Sequence, residues 1–182
     1  VTVIYANNTD AGTASASADY AATVNYLASS DATTFAIGKA DLTLAVGNSP
    51  AAFNGSQQAA TIVATGPTGA IAGTASNITY DLSAVAPTNA GTYAVLADFA
   101  PGDTTNYNSV IGGNAGSFVI QPVATTTAVT CAAGPFTYNG TVFEPCSAVV
   151  TGPGSLNLAL TVVYLDNLNA GTASASASFD GT

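Results

Sequence analysis

Histidine, arginine, methionine and tryptophan are absent from this chain, and lysine occurs once, at Lys39. Without histidine, the commonest general base and metal ligand is missing. One cation stands against ten carboxylates, a formal net charge of −9. That balance excludes a basic nucleic-acid footprint and argues against docking on anionic lipid. It favours solubility, divalent cations, or repulsion between neighbouring chains. No apolar run reaches the roughly 18 residues of a membrane span. The chain opens with neither Met nor a signal-peptide pattern, so the expectation is a mature or excised segment whose secretion signal and anchor lie outside it.

Hydrophobic residues are plentiful at 48%, which is not a disordered composition. Most of them are Ala and Val, so the core layers are expected to be thin and each domain modestly stable. The chain is organised around one stretch written three times: NTDAGTASASADY at 8–20, TNAGTYAVLADF at 88–99 and LNAGTASASASF at 168–179. Gly12, Gly91 and Gly171 recur about 80 residues apart, the size of a small β domain. Asp/Asn-Ala-Gly is turn chemistry. After each glycine the residues alternate. Ala14, Ala16, Ala18 and Tyr20 share one face, as do Tyr93, Val95, Ala97 and Phe99, and Ala173, Ala175, Ala177 and Phe179. Period-two alternation predicts a strand with one buried face, ending in an aromatic anchor.

Other pieces recur in step. VTVIY at 1–5 matches TVVY at 161–164, and TTFAI at 33–37 matches SFVIQ at 117–121. Asn54-Gly55 and Asn139-Gly140 are hairpin signals, and Gly66-Pro67 and Gly152-Pro153 are turns. No stretch has a convincing helical period. The reading is all-β: tandem antiparallel β-sandwich repeats of about 80 residues. Residues 1–39 are the C-terminal half of one repeat, 40–122 a complete repeat, and 123–182 the N-terminal two thirds of a third. Neither junction is Gly/Ser-rich, so both are expected to be stiff.

The set TYNG, a Cys-to-Cys hairpin, TGPG, TVVY, NAGT and, in the middle copy, GDTTNY closing on SFVI resembles the MBG-type repeat. These are bacterial immunoglobulin-like modules of very large secreted surface proteins and adhesins. The resemblance covers nearly the whole chain and implies an immunoglobulin-like sandwich with no catalytic residues to carry over. The middle copy departs from the pattern in lacking the cysteine pair, and the first copy lacks the Gly-Asp turn.

Cys131 and Cys146 flank the Asn139-Gly140 signal, and opposed positions on adjacent strands suit a disulfide. That bond implies an oxidising, extracellular location. Asn7, Asn54, Asn77 and Asn139 each open an Asn-X-Ser/Thr sequon, though in a bacterial chain they read first as bare turn residues. Lys39 raises the idea of an isopeptide bond, but it sits at a junction and its counterpart is Gln121. Asp10, Asp98, Asp103, Asp166 and Asp180 are scattered, and no Asp-x-Asp-x-Asp-Gly loop is present. No cofactor is expected; calcium at a junction, on Asp41 or Asp103 with backbone carbonyls, is the one ion left open.

No enzyme is expected. The leading expectation is a structural segment of an extracellular, cell-surface adhesin or filament: a stalk or fibre body. Its partners would be neighbouring copies of itself or adjacent repeats, with strand complementation head to tail as one way to join them. The alternative is a ligand-binding adhesin module for a glycan or host protein. Its loops would be 83–90 or 101–108, the latter carrying Asp103, Asn106 and Tyr107. Ice binding through Thr13, Ser15 and Ser17 is weaker, because the regular face is only a few residues long.

Overall fold

The computed structural model describes residues 1–181, and among these every regular element is a strand. The chain divides into two compact units. Unit 1 contains residues 1–49, 59–87 and 92–118; unit 2 contains 50–58, 88–91 and 119–181 of the described residues. The divide runs through the middle copy.

Unit 1 begins with a three-stranded sheet from the first copy: β1 (Val3–Ala6), β2 (Gly12–Tyr20) and β3 (Ser29–Ile37), in the order β1-β2-β3. The Ala/Ser alternation of β2 is satisfied on both edges. It pairs antiparallel with β1 from Val3↔Ala18 to Ala6↔Ser15, and with β3 from Gly12↔Ile37 to Tyr20↔Ser29. Ala14 is completely buried, but Tyr5 and Phe35 remain 56% and 40% exposed although their rings meet edge to face at 6.3 Å. The expected faces are only partly sorted here: Ala16 and Ala18 are half-buried like Ser15 and Ser17, and Tyr20, expected as the aromatic anchor of this strand, is 37% exposed, because the apolar face has little laid over it.

The middle copy supplies β4 (Thr43–Val46), β5 (Ala51–Ala52), β6 (Ile62–Gly66), β7 (Gly69–Ile71), β8 (Gly73–Tyr80), β9 (Gly91–Pro101) and β10 (Val110–Gln121). In unit 1, β4-β6-β7 form one antiparallel sheet, and β8 and β9 pair antiparallel, with β9 also bonded to β10. Here alternation becomes burial. Val95, Ala97 and Phe99 are buried on β9, Phe118 is fully buried on β10, and Leu44 and Ala64 are buried on β4 and β6. Tyr80 packs edge to face on Phe118 at 6.2 Å, and its hydroxyl accepts the Ala60 N–H at 2.7 Å. Tyrosine thus gives the core its ring and ties off a backbone donor with its polar tip. Gly73 has to be glycine: a Cβ there would lie 2.3 Å from the Ala100 carbonyl oxygen and 2.7 Å from the Phe99 ring.

One local expectation is corrected. Asn54-Gly55 does not join two paired strands. β5 runs parallel to the end of β10, through Ile120↔Ala51 and Gln121↔Ala52, while β6 pairs with β4. The Asn54 side chain closes a local turn by accepting the Ser56 N–H at 2.9 Å. The turn chemistry is there, but the chain leaving it goes to a different sheet, because two residues of β5 carry too little pairing to hold a hairpin.

Unit 2 holds β5 with the end of β10 and the third copy. There β11 (Thr126–Cys131), β12 (Cys146–Gly152) and β13 (Leu156–Leu160) form a sheet, and β14 (Val163–Leu165) pairs with β15 (Ser174–Ser176). Ala148 and Val150 are its buried residues on β12. Cys131 and Cys146 are opposed in the β11/β12 register and disulfide-bonded, with Cα atoms 3.8 Å apart. The disulfide closes the expected hairpin of β11 and β12, whose connection, 132–145, is a long loop in which Asn139-Gly140 does not lie between paired strands. The Asn54-Gly55 turn lies against the third copy's Gly152-Pro153-Gly154 turn: a Cβ on Gly55 would fall 2.3 Å from the Gly154 Cα.

Candidate functional site

The 101–108 loop is built round one aspartate. Asp103 accepts from the Thr105 and Asn106 backbone N–H groups at 3.0 and 3.1 Å, an Asx-type turn that presents Asn106. The Asn106 amide donates to Asp103 at 2.9 Å and to Asp10 at 3.0 Å, and its carbonyl oxygen accepts the Ala11 N–H at 2.7 Å. Asp10 and Ala11 belong to the first copy's Asp-Ala-Gly turn.

The backbone continues the clasp onto the linker. Ala40 N–H donates to the Asn106 carbonyl at 2.8 Å, Asn108 N–H to the Ala40 carbonyl at 2.9 Å, and the Asn108 amide to Asp41 at 2.8 Å. The Lys39 ammonium donates to the Thr104 carbonyl at 2.6 Å. Tyr107 turns the other way. It is half-buried over Gly66, where a Cβ would come within 2.9 Å of its ring, and its hydroxyl hydrogen-bonds that of Thr68 at 2.7 Å.

The three residues singled out as a ligand loop are therefore brought together, and each is engaged inside unit 1. Asp10, Ala11 and Asn108 complete the group, and the sequence alone did not point to them as its partners. The only signal for the clasp was the Asp103-x-x-Asn106 spacing.

The Asn106 amide, above all, holds the Asp103 carboxyl below the usual aspartate range; the Asn106 and Thr105 backbone donors and the Lys39 charge add to it, while desolvation opposes. Asp98 is lowered in the same way by the Asn77 amide and the Gly112 N–H. Among the described residues, no three His, Cys, Asp or Glu gather in one place. Asp41 and Asp103, the aspartates considered for calcium, both accept hydrogen bonds from within the chain.

Asn7, Asn54 and Asn139 lie outside the strands, whereas Asn77 lies within β8. Asn7 and Asn77 have positive φ (56° and 49°), and Asn77 donates to Asp98 at 2.7 Å beside the register shift in β8. Asn54 and Asn139 are exposed and each closes a local turn, onto the Ser56 N–H and onto the Thr141 N–H and hydroxyl.

A second feature lies wholly in unit 2. A groove of about 480 Å³ opens beside the disulfide, with Phe136, Tyr138, Phe143, Tyr164 and Ala175 on its walls. Tyr164 occupies in the third copy the place Tyr80 holds in the middle one. Its hydroxyl accepts the Cys146 N–H at 2.7 Å and lies 3.1 Å from the Cys146 carbonyl.

Residues 42–124, which span β4 to β10, match the family model of the MBG domain. Searches among curated proteins and among solved structures returned no match.

Proposed function

We propose, from the MBG domain at residues 42–124, that the chain is a run of immunoglobulin-like sandwich repeats forming a structural segment of an extracellular surface protein, the stalk or fibre body of an adhesin or filament. The observation that carries this reading is the clasp. In the 101–108 loop, which differs between copies and would be the natural place for ligand chemistry, the Asn106 amide is spent on the Asp10-Ala11 turn of the preceding copy, while Asp103, Tyr107 and Asn108 are engaged within the middle copy. A loop used in this way transmits position from one repeat to the next. The MBG domain suits a surface protein, and the Cys131–Cys146 disulfide suits an oxidising compartment.

The test is location and redox state in the source cells. Immunogold labelling of intact cells should decorate the surface, and alkylation before reduction should leave both cysteines unlabelled. A cytoplasmic pool with free thiols refutes the reading.

A ligand-binding module is the second reading, and one observation favours it. Asp81 and Leu82 form a two-residue turn closed by reciprocal Tyr80–Ser83 backbone bonds, with φ of 48° and 71°. Such a turn prefers Asn and Gly. Leu82 is 82% exposed, and Val85 nearby is 62% exposed. A strained, exposed leucine is a contact residue in waiting. Glycan-array or pull-down binding that is lost in Leu82→Gly, with the fold intact, would move the assignment to this loop.

A further inference from the structure

Asn54 carries an electrophile next to a nucleophile. Its side-chain carbon Cγ lies within ring-closing reach of the following backbone nitrogen, and Gly55 has no Cβ to shield that nitrogen. The Asn54 side chain is exposed and folded back over its own turn, where Oδ1 accepts the Ser56 N–H at 2.9 Å. That bond draws electron density from Cγ and keeps it beside the Gly55 peptide. Water and hydroxide reach the site from solvent.

The backbone holds the reaction back. Both flanks of the turn are pinned: the Phe53 N–H donates to the Gln121 carbonyl at 2.9 Å, and the Ala52 carbonyl accepts the Gln58 side-chain amide at 3.1 Å. The tip is seated on the Gly152-Pro153-Gly154 turn of the third copy. A Cβ on Gly55 would fall 2.3 Å from the Gly154 Cα, and a Cβ on Gly154 would lie 3.1 Å from the Gly55 Cα and 2.9 Å from the Phe53 ring. Gly55 and Gly154 both have positive φ, 80° and 71°. Two bare backbones and one half-buried ring thus form the joint, and residues 50–58 belong to the same compact unit as the third copy. Ring closure needs the 54–55 peptide to rotate so that its nitrogen faces Cγ. A seated Gly55 has no room to make that rotation.

We infer that Asn54 is a self-modifying site guarded by this joint: when Gly55 lifts off Gly154, Asn54 deamidates, and the isoaspartyl product keeps the joint open. The Gly55 nitrogen gives its proton to hydroxide and attacks Asn54 Cγ. The new N–Cγ bond forms as the Cγ–Nδ2 bond breaks, and ammonia leaves with a proton from water. The resulting succinimide is opened by water. Breaking the N–Cγ bond leaves an ordinary aspartate at position 54. Breaking the bond from nitrogen to the backbone carbonyl carbon leaves isoaspartate, with the main chain now running through Cβ and Cγ. Nothing is oxidised or reduced, and the only co-reactant is water. The isoaspartyl form lengthens the main chain by one methylene immediately before Gly55, at a contact that has no space for a single added carbon. Gly55 cannot reseat, so a transient opening becomes permanent. The observed rate is the fraction of time the joint is open multiplied by the rate of the free turn. The inference goes beyond the structural-segment reading and does not depend on it.

The test incubates the purified whole chain at mildly alkaline pH and follows deamidation at position 54 by peptide mass spectrometry, with electron-transfer fragmentation to identify isoaspartate. A free peptide of residues 50–58 gives the unguarded rate. Asn54 in the folded chain should react more slowly than in the peptide. Gly154→Ala crowds the seat and should speed the reaction at Asn54 at least about tenfold, the change that an overpacking cost of about 1.4 kcal/mol gives. Phe53→Ala removes the ring without touching the third copy's turn, so it guards against a misfolded Gly154 variant; it too should speed the reaction, with an unchanged circular dichroism spectrum. Deamidation at Asn139-Gly140, where nothing lies within 4 Å of a Cβ built on the glycine, should keep its rate in Phe53→Ala. Chains that have accumulated isoaspartate at position 54 should show faster amide exchange at Gly154 and Ser155. Reaction of the folded chain at the peptide rate, a rate indifferent to both variants, or unchanged exchange at Gly154 after conversion each overturns the inference.

Discussion

Phe118 and Phe35 offer the same perturbation in two environments. Phe118→Ala removes a fully buried ring, and such truncations cost about 3–5 kcal/mol once the cavity is counted. Phe35→Ala removes a ring that is 40% exposed. Water fills the gap, so only a partial transfer contribution is lost, about 1–2 kcal/mol at the usual value for a buried side chain. The difference is about 2–3 kcal/mol, or roughly 30- to 150-fold in an opening equilibrium at about 1.4 kcal/mol per decade. Native-state hydrogen exchange on the dilute chain reads each strand separately, which avoids forcing a chain of several copies into a single transition. Exchange in β10 should accelerate far more in Phe118→Ala than exchange in β3 does in Phe35→Ala. Equal acceleration would falsify the reasoning, since it would mean that β3 is already covered in the isolated molecule.

Asn106→Ala should speed amide exchange at Ala11, which loses its acceptor outright, and at Ala40, whose partner loop is freed, while β9 stays protected. For Asp103 the folded carboxyl lies below its ordinary value, so its contribution is fully present above the ordinary aspartate pKa. It is lost as pH falls through the depressed one; loop protection should fade only in that acid range, and Asp103→Asn should flatten the profile. Gly73→Ala should destabilise the middle copy by about 1–3 kcal/mol through overpacking against Ala100 and Phe99, seen as an earlier urea midpoint. Reduction of Cys131–Cys146, which closes a loop with a sequence separation of 15, should cost the third copy about 3 kcal/mol; exchange in β11 and β12 should rise while that in β9 does not.

Legibility in the sequence depended on range. Tyr93, Val95, Ala97 and Phe99 alternate, and the last three are buried, because a strand's two faces are set by neighbours two residues apart. The same alternation in β2 and β3 did not foretell that Phe35 stays 40% exposed; burial also needs an opposing sheet, which a period cannot report. Asn54-Gly55 announced a turn but not its destination, since the partners of β5 lie nearly seventy residues on, at Ile120 and Gln121. Asp103, Asn106 and Tyr107 were visible as a polar loop with an aromatic. Their engagement with Asp10, Ala11 and Thr68 was hidden, because contacts across 39 to 96 residues leave no local pattern.

The solitary lysine has a consequence for survival among proteases. Enzymes of trypsin specificity find one cleavable bond in this chain, Lys39–Ala40. A scissile segment must be drawn into the enzyme's cleft as a free extended strand. Here Ala40 is bonded through both its N–H and its carbonyl to the 106–108 backbone, and the Lys39 ammonium is tied to Thr104. The folded chain therefore presents such enzymes with nothing to cut. When the clasp opens, the single break falls at the seam, releasing the first copy from the middle one with the strands of both intact.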